Sequence, residues 1–134
     1  MIKSKHLMFL AVFAAAAAVA ACTPADGGSS SAGLPNGRID AGDLQANVKG
    51  EATGQSCVDC HGPDGNQPLD PTYPKIGGQY ADYLGHALQQ YRSGQRDHAL
   101  MSNQAQGLSD QQIADLAAYF ASQPSQLRDL HGAY

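Results

Sequence analysis

Cys57-Val58-Asp59-Cys60-His61 is the segment from which this chain is best read. Two thiols three residues apart on a turn of helix can reach two neighbouring points on one edge of a flat macrocycle, and the next side chain is an imidazole. Cys-x-x-Cys-His is the attachment pattern of c-type haem. Three other readings compete with it. A thioredoxin-like redox pair needs a βαβ setting, and no β-branched runs alternating with helices are visible. A zinc site would have to recruit His86 or His98, because no second ligand pair follows at finger spacing. A Cys57 to Cys60 disulfide would close a tight loop of small entropic value. Covalent haem is the reading the spacing favours.

A second iron ligand is sought among the remaining donors. The chain has three methionines, and Met1 and Met8 lie in an apolar leader, which leaves Met101. His/Met ligation belongs to electron-transfer haems and raises the reduction potential. The competing role for Met101 is core filling. His98 is the rival ligand, His86 falls inside a helical pattern and His131 lies in the tail.

Helical signals surround the motif. Asp40 is placed to cap a first helix through about Ala52, with Leu44, Val48 and Ala52 on one face and Gly54 ending it. From Gly62 to Pro74 the chain reads as loop, with Pro63, Pro68, Pro71 and Pro74. Between Gln79 and Arg92, Tyr80, Tyr83, Leu84, Ala87, Leu88 and Tyr91 recur at helical spacing, and Gly94 closes the run. Ser109 with Gln112 forms a capping box, Leu108 and Ile113 a hydrophobic staple, and Ile113, Leu116, Ala117 and Phe120 an apolar stripe that Pro124 stops. Asp97 to Asn103 reads as a polar stretch before that last helix. The fold class is all-α, three or more short helices with long loops.

Composition agrees with a cofactor-completed core. The chain has 134 residues, 8 basic and 12 acidic side chains and no Trp. Large apolar residues between Arg38 and Pro124 are few: Ile39, Leu44, Val48, Val58, Leu69, Ile76, Leu84, Leu88, Leu100, Met101, Leu108, Ile113, Leu116 and Phe120, with five tyrosines. A domain of this size usually needs a disulfide, a metal or a cofactor. The acidic balance excludes nucleic acid as a partner, since no basic patch is available to displace counterions. No acid/base constellation can be named, so the chain does not read as an enzyme.

Residues 1–21 combine basic Lys3 and Lys5, an apolar run from Leu7 to Ala21 and small residues at its end, the pattern of a secretory signal peptide. The run is shorter than the roughly 20 residues that span a bilayer. Val19-Ala20-Ala21-Cys22 resembles a bacterial lipobox, with Cys22 the lipidated residue; ordinary cleavage with Cys22 left as a thiol is the alternative. Residues 22–37, rich in Gly, Ser and Pro, read as a tether with a root-mean-square reach of roughly 20 Å. Residues 38–124 then form the folded domain and 125–134 a tail. This places the domain on the periplasmic side of a bacterial membrane, lipid-anchored.

Cys57 to Gly62, Tyr73-Pro74-Lys75-Ile76-Gly77-Gly78-Gln79, Tyr91-Arg92-Ser93-Gly94-Gln95-Arg96, and Met101 through Leu108-Ser109 into Asp115-Leu116-Ala117-Ala118-Tyr119-Phe120 together resemble the class I c-type cytochromes over about Ala41 to Gln123. The resemblance implies a small helical fold around one haem c, held through Cys57 and Cys60, with His61 as proximal ligand, Met101 as distal ligand and the Pro74 carbonyl accepting from His61 Nδ1–H. These segments look like the branch whose domains also occur in tandem in dihaem carriers, although this chain has one attachment motif. Thr53 stands where family members often carry an aromatic, so the packing of the first helix on the last is expected to differ. Arg92 and Arg96 read either as partners of haem propionates or as solvated cations, and Asp59, Asp64 and Asp70 as surface loop charges.

The function these residues imply is a membrane-tethered periplasmic one-electron carrier of a respiratory chain, between a quinol-oxidising complex and a terminal oxidase or reductase. The alternatives are a haem enzyme or a gas or peroxide sensor with an open or labile distal site, and a fixed haem subunit of an oxidase or reductase complex.

Overall fold

The computed structural model describes residues 33–128. The leader, Cys22, the first part of the tether and His131 lie outside the described residues. Among those residues there are five helices and no strand: α1 (Ile39–Ala46), α2 (Cys57–His61), α3 (Ala81–Ser93), α4 (Ala99–Ala105) and α5 (Asp110–Ala121).

The last helix is the centre of the molecule. Ser109 accepts from the Gln112 N–H and Gln112 reaches back to the Ser109 N–H, the reciprocal bonds that a Ser-x-x-Gln start allows. Ile113, Ala114, Leu116, Ala117 and Phe120 are buried on α5, and Leu108 packs with Ile113 as the staple requires. α1 and α3 both pack against it. α3 runs two residues later at its start than the periodicity predicts and ends at Gly94, whose φ of 77° is the left-handed cap glycine tolerates.

α1 departs from its sequence reading. It stops at Ala46 rather than near Ala52, and its cap is Arg38, without a side-chain bond, rather than Asp40. Leu44 and Val48 are 74% and 54% exposed, so they are not its inner face. Gly42 and Ala46 are. A Cβ at Gly42 would stand 2.0 Å from the Asp115 carbonyl oxygen, so α1 approaches α5 at a distance that only small residues permit. Asp115, 3% exposed, closes this seam. Its carboxylate accepts from the Arg38 N–H at 2.8 Å, from the Arg38 guanidinium at 2.7 Å and from Gln111 at 2.8 Å. Burial pushes the Asp115 carboxyl up, but the hydrogen bonds from Arg38 and Gln111 outweigh it and hold the group below the ordinary carboxylate range. Gly54 closes a separate turn, its N–H donating to the Gly50 carbonyl.

Both edges of the domain extend past the composition boundary. Leu34, 6% exposed, packs on Ile113 and Ala114, and the Asn36 carbonyl accepts from Gln111, so residues 34–37 belong to the fold rather than to the tether. Beyond Pro124, Ser125 lies against Gly78 and Gln126 accepts from Lys75 Nζ. Ile39, Leu69 and Leu100 are exposed rather than core. α4 occupies part of the stretch read only as polar, with no helix assigned to it. Ala, Leu, Met and Gln are good helix formers, and His98 supplies a cap of a type that N-cap rules do not anticipate.

Candidate functional site

α2 is built around its own cap. Ser56, 2% exposed, accepts from the Asp59 N–H, and the Asp59 carboxylate accepts from the Ser56 N–H at 2.6 Å. Lys49 Nζ donates to the same carboxylate. The Lys49 bond and then the two Ser56 bonds hold the Asp59 carboxyl at about 2, well below the carboxylate range. Asp59 is therefore the helix's third-position cap rather than a loose surface charge. Asp64 and Asp70 are likewise turn formers, accepting from the Asn66 and Thr72 N–H groups.

This short helix brings Cys57, Cys60 and His61 to the lining of a cavity of about 450 Å³, within the range of small-molecule sites. His61 is 6% exposed, and its Nδ1 lies 2.9 Å from the Pro74 carbonyl. A carbonyl only accepts, so Nδ1 carries the proton and Nε2 holds a free lone pair. Burial lowers the imidazole from its usual range, against the opposing Pro74 bond, and keeps it in the neutral, ligating form at pH 7. Cys57 and Cys60 are both free thiols. Burial pushes the Cys57 thiol up to about 11, so it stays protonated at neutral pH, the reverse of an activated redox cysteine. Among the described residues no three His, Cys, Asp or Glu side chains converge as a metal site would require.

α3 contributes Tyr83, Leu84, Ala87, Leu88 and Tyr91 to the cavity, α5 contributes Leu116, Ala117 and Phe120, and the loop contributes Tyr73, Pro74 and Ile76. The helical stripe predicted for α3 thus faces the cavity as much as a conventional core, and Tyr83 remains 52% exposed at it. Met101 and His98 reach the same cavity from α4 and its cap. His98 Nδ1 accepts from the Met101 N–H at 3.4 Å, so its Nδ1 lone pair serves the helix start. His86, by contrast, lies on α3 with Gln90 at 3.1 Å and does not line the cavity.

The two arginines separate. Arg92 donates to the Leu108 carbonyl at 2.8 Å and to Asp110 at 2.6 Å, tying α3 to the start of α5; it is neither a cavity residue nor a solvated cation. Arg96 lines the cavity with its guanidinium 4.8 Å from the Tyr91 ring centroid. Lys75, Gln55 and Gln104 also line it. The sequence reading gave Gln55 and Gln104 no role, since polar residues in loops and on short helices carry no periodic signal.

The donor set suits a large flat apolar group with acidic edges: two thiols able to form thioethers, a neutral imidazole with Nε2 available, a thioether on a second element, apolar and aromatic walls, and two cations on the lining. Comparison with known proteins agrees. Residues 48–124 match the family model described as cytochrome c. The chain is 52% identical over 86 residues to cytochrome c-554(548) of Halomonas halodenitrificans, spanning 62% of this chain and 99% of that one. It is 45% identical over 83 residues to cytochrome c4 of Pseudomonas aeruginosa, of which it covers 39%. A solved structure of Acidithiobacillus ferrooxidans cytochrome c4 superposes with a TM-score of 0.57 at 27% identity, over 67% of this chain and 52% of that chain. The chain therefore spans nearly all of one relative and about two fifths to one half of the cytochromes c4 it matches.

Proposed function

This chain belongs to the cytochrome c family and holds a c-type haem covalently through Cys57 and Cys60; on that premise we propose that it is a one-electron carrier on the periplasmic side of a bacterial membrane, lipid-anchored through Cys22. Its proposed axial ligands are His61 and Met101. Its proposed partners are a quinol-oxidising complex as donor and a terminal oxidase or reductase as acceptor. The observation that carries this reading is the convergence of Cys57, Cys60, a neutral His61 and Met101 on one largely apolar cavity.

The haem supplies the one-electron couple. The chain's own residues do the rest. Pro74 fixes the His61 tautomer and ring orientation, and such a bond also raises the basicity of a ligating imidazole. Leu84, Leu116 and Phe120, all buried, give the cavity an apolar wall, and apolar surroundings with a thioether donor favour the reduced state. His98 is the weaker ligand candidate, because its Nδ1 already accepts from the Met101 N–H and the neutral ring then carries its proton on Nε2. Arg96 and Lys75 are suited to the acidic edge of the group. Beyond the covalent attachment at Cys57 and Cys60, no side chain here is assigned bond-making chemistry.

The test is an optical spectrum of the purified protein, oxidised and reduced, with a pyridine haemochrome assay. Covalent haem with a weak far-red methionine-to-ferric-iron band is expected, and the band should vanish in Met101→Ala. Covalent haem without the band would move the distal ligand to His98 or to an open site, and the function toward a sensor or enzyme. For the anchor, Cys22→Ser should release the protein from membranes; retention would overturn it.

A further inference from the structure

We propose that Gln104 is a positioning residue that clamps the Met101 helix to the backbone just ahead of the Cys57 motif, and so protects the Met101 ligand from displacement; the inference rests on the reading of Met101 as an axial ligand. Gln104 stands three residues after Met101 on α4, and both line the cavity. Its Nε2 donates to the Gln55 carbonyl at 2.8 Å, joining segments 49 residues apart. The other hydrogen bonds described for α4 are local: His98 to the Met101 N–H, Ser102 Oγ to the His98 N–H, and Asn103 to the Ala99 carbonyl.

Gln55 is a built receiving site. Its carbonyl also accepts from the Gly50 N–H at 2.9 Å, and its side-chain oxygen lies 3.6 Å from Cys60 Sγ. The Gln104 amide is seated over Gly50, where a Cβ would stand 2.3 Å from Gln104 Oε1. The absence of a side chain at Gly50 is thus what lets the amide lie flat against this turn.

The bond exists only while α4 stands beside the Gln55 turn. Any withdrawal of Met101 that carries α4 with it breaks the Gln104 bond as well. A competing ligand therefore works against both, and the clamp biases the equilibrium by the difference it makes between the two states.

The experiment titrates the oxidised holoprotein with imidazole and follows loss of the far-red methionine band, with covalent haem content measured in parallel. Gln104→Leu removes the donor at similar size, and half-displacement is expected at about two- to tenfold lower imidazole, the range of one net hydrogen bond. Gly50→Ala crowds the amide and should shift the titration in the same direction by less. Ser109→Ala, which weakens α5 away from the cavity, is the control for a general loss of stability and should leave half-displacement unchanged. If Gln104→Leu titrates with the parent, or no earlier than Ser109→Ala, the clamp is overturned while Met101 ligation stands. If the parent protein shows no methionine band, the ligand reading falls and the clamp with it.

Discussion

Two elements that carry ligand candidates to the same cavity, α2 and α4, are secured very differently. α2 has a reciprocal capping box with a 2% exposed serine, an ion pair to Lys49 and the His61 to Pro74 bond, and its Cys60 carbonyl accepts from Leu69 N–H. α4 has an exposed histidine cap whose 3.4 Å bond equals the Ser56 bond in length, the Ser102 bond to the His98 N–H, a buried Ala105 and the clamp from Gln104. The difference teaches that the thiol and imidazole side is fixed before any cofactor is considered, whereas the thioether side is held by a few reversible bonds. A carrier that exchanges electrons without exchanging ligands needs both sides to stay put. The α4 side is where substitutions should show first.

The largest effect is expected from breaking the fixed side. Cys57→Ala combined with Cys60→Ala should abolish covalent haem, read by loss of the haemochrome in denatured protein, and leave a core too small to fold well. Met101→Ala should keep covalent haem, lose the far-red band and lower the reduction potential measured by redox titration; His98→Ala should keep the band. Among the caps, Ser56→Ala is expected to lower unfolding free energy by about 1–2 kcal/mol in a denaturant titration, because it removes the buried hydroxyl that caps α2. His98→Ala should cost about 0.5 kcal/mol, since its bond is exposed and water can replace it; equal losses at the two caps would erase the contrast drawn above.

Acid should act on the α1–α5 seam through Asp115 and on α2 through Asp59, since both carboxyls are held below their ordinary range. The Asp115 carboxyl titrates lower in the folded chain than in the unfolded one, so its contribution is complete above the unfolded value of about 3.9 and fades as pH falls below it. Denaturation midpoints measured from pH 6 downward should therefore fall below about pH 4, and Asp115→Asn should remove the seam's share of that fall while the share from Asp59 remains.

The features legible in the chain are those written locally. The haem motif, the Ser109 capping box, the Gly94 stop and the stripes of α3 and α5 all depend on residues within a few positions of one another, and the structure contains each of them. Asp59 was misread because its capping partner is Ser56, whose signature overlaps the cysteine spacing and was hidden by it. α4 was missed because a histidine caps it and its apolar residues are too few to set a period.

By itself the sequence determined the chemistry, two thiols and an imidazole at fixed offsets, and the helices whose caps and periods are local, because covalent spacing and 3.6-residue periodicity survive without a partner. The tertiary structure alone decided which face of α1 is inside, that Arg92 bridges α3 to α5, that Leu34 belongs to the domain, and that Met101 and Gln104 stand beside the motif. The physical reason is that close approach and long-range hydrogen bonds depend on where backbones meet. The close approach at Gly42, where a Cβ would stand 2.0 Å from the Asp115 carbonyl oxygen, and the 2.8 Å bond from Gln104 to Gln55 exist only between segments far apart in the chain, and no local pattern announces them.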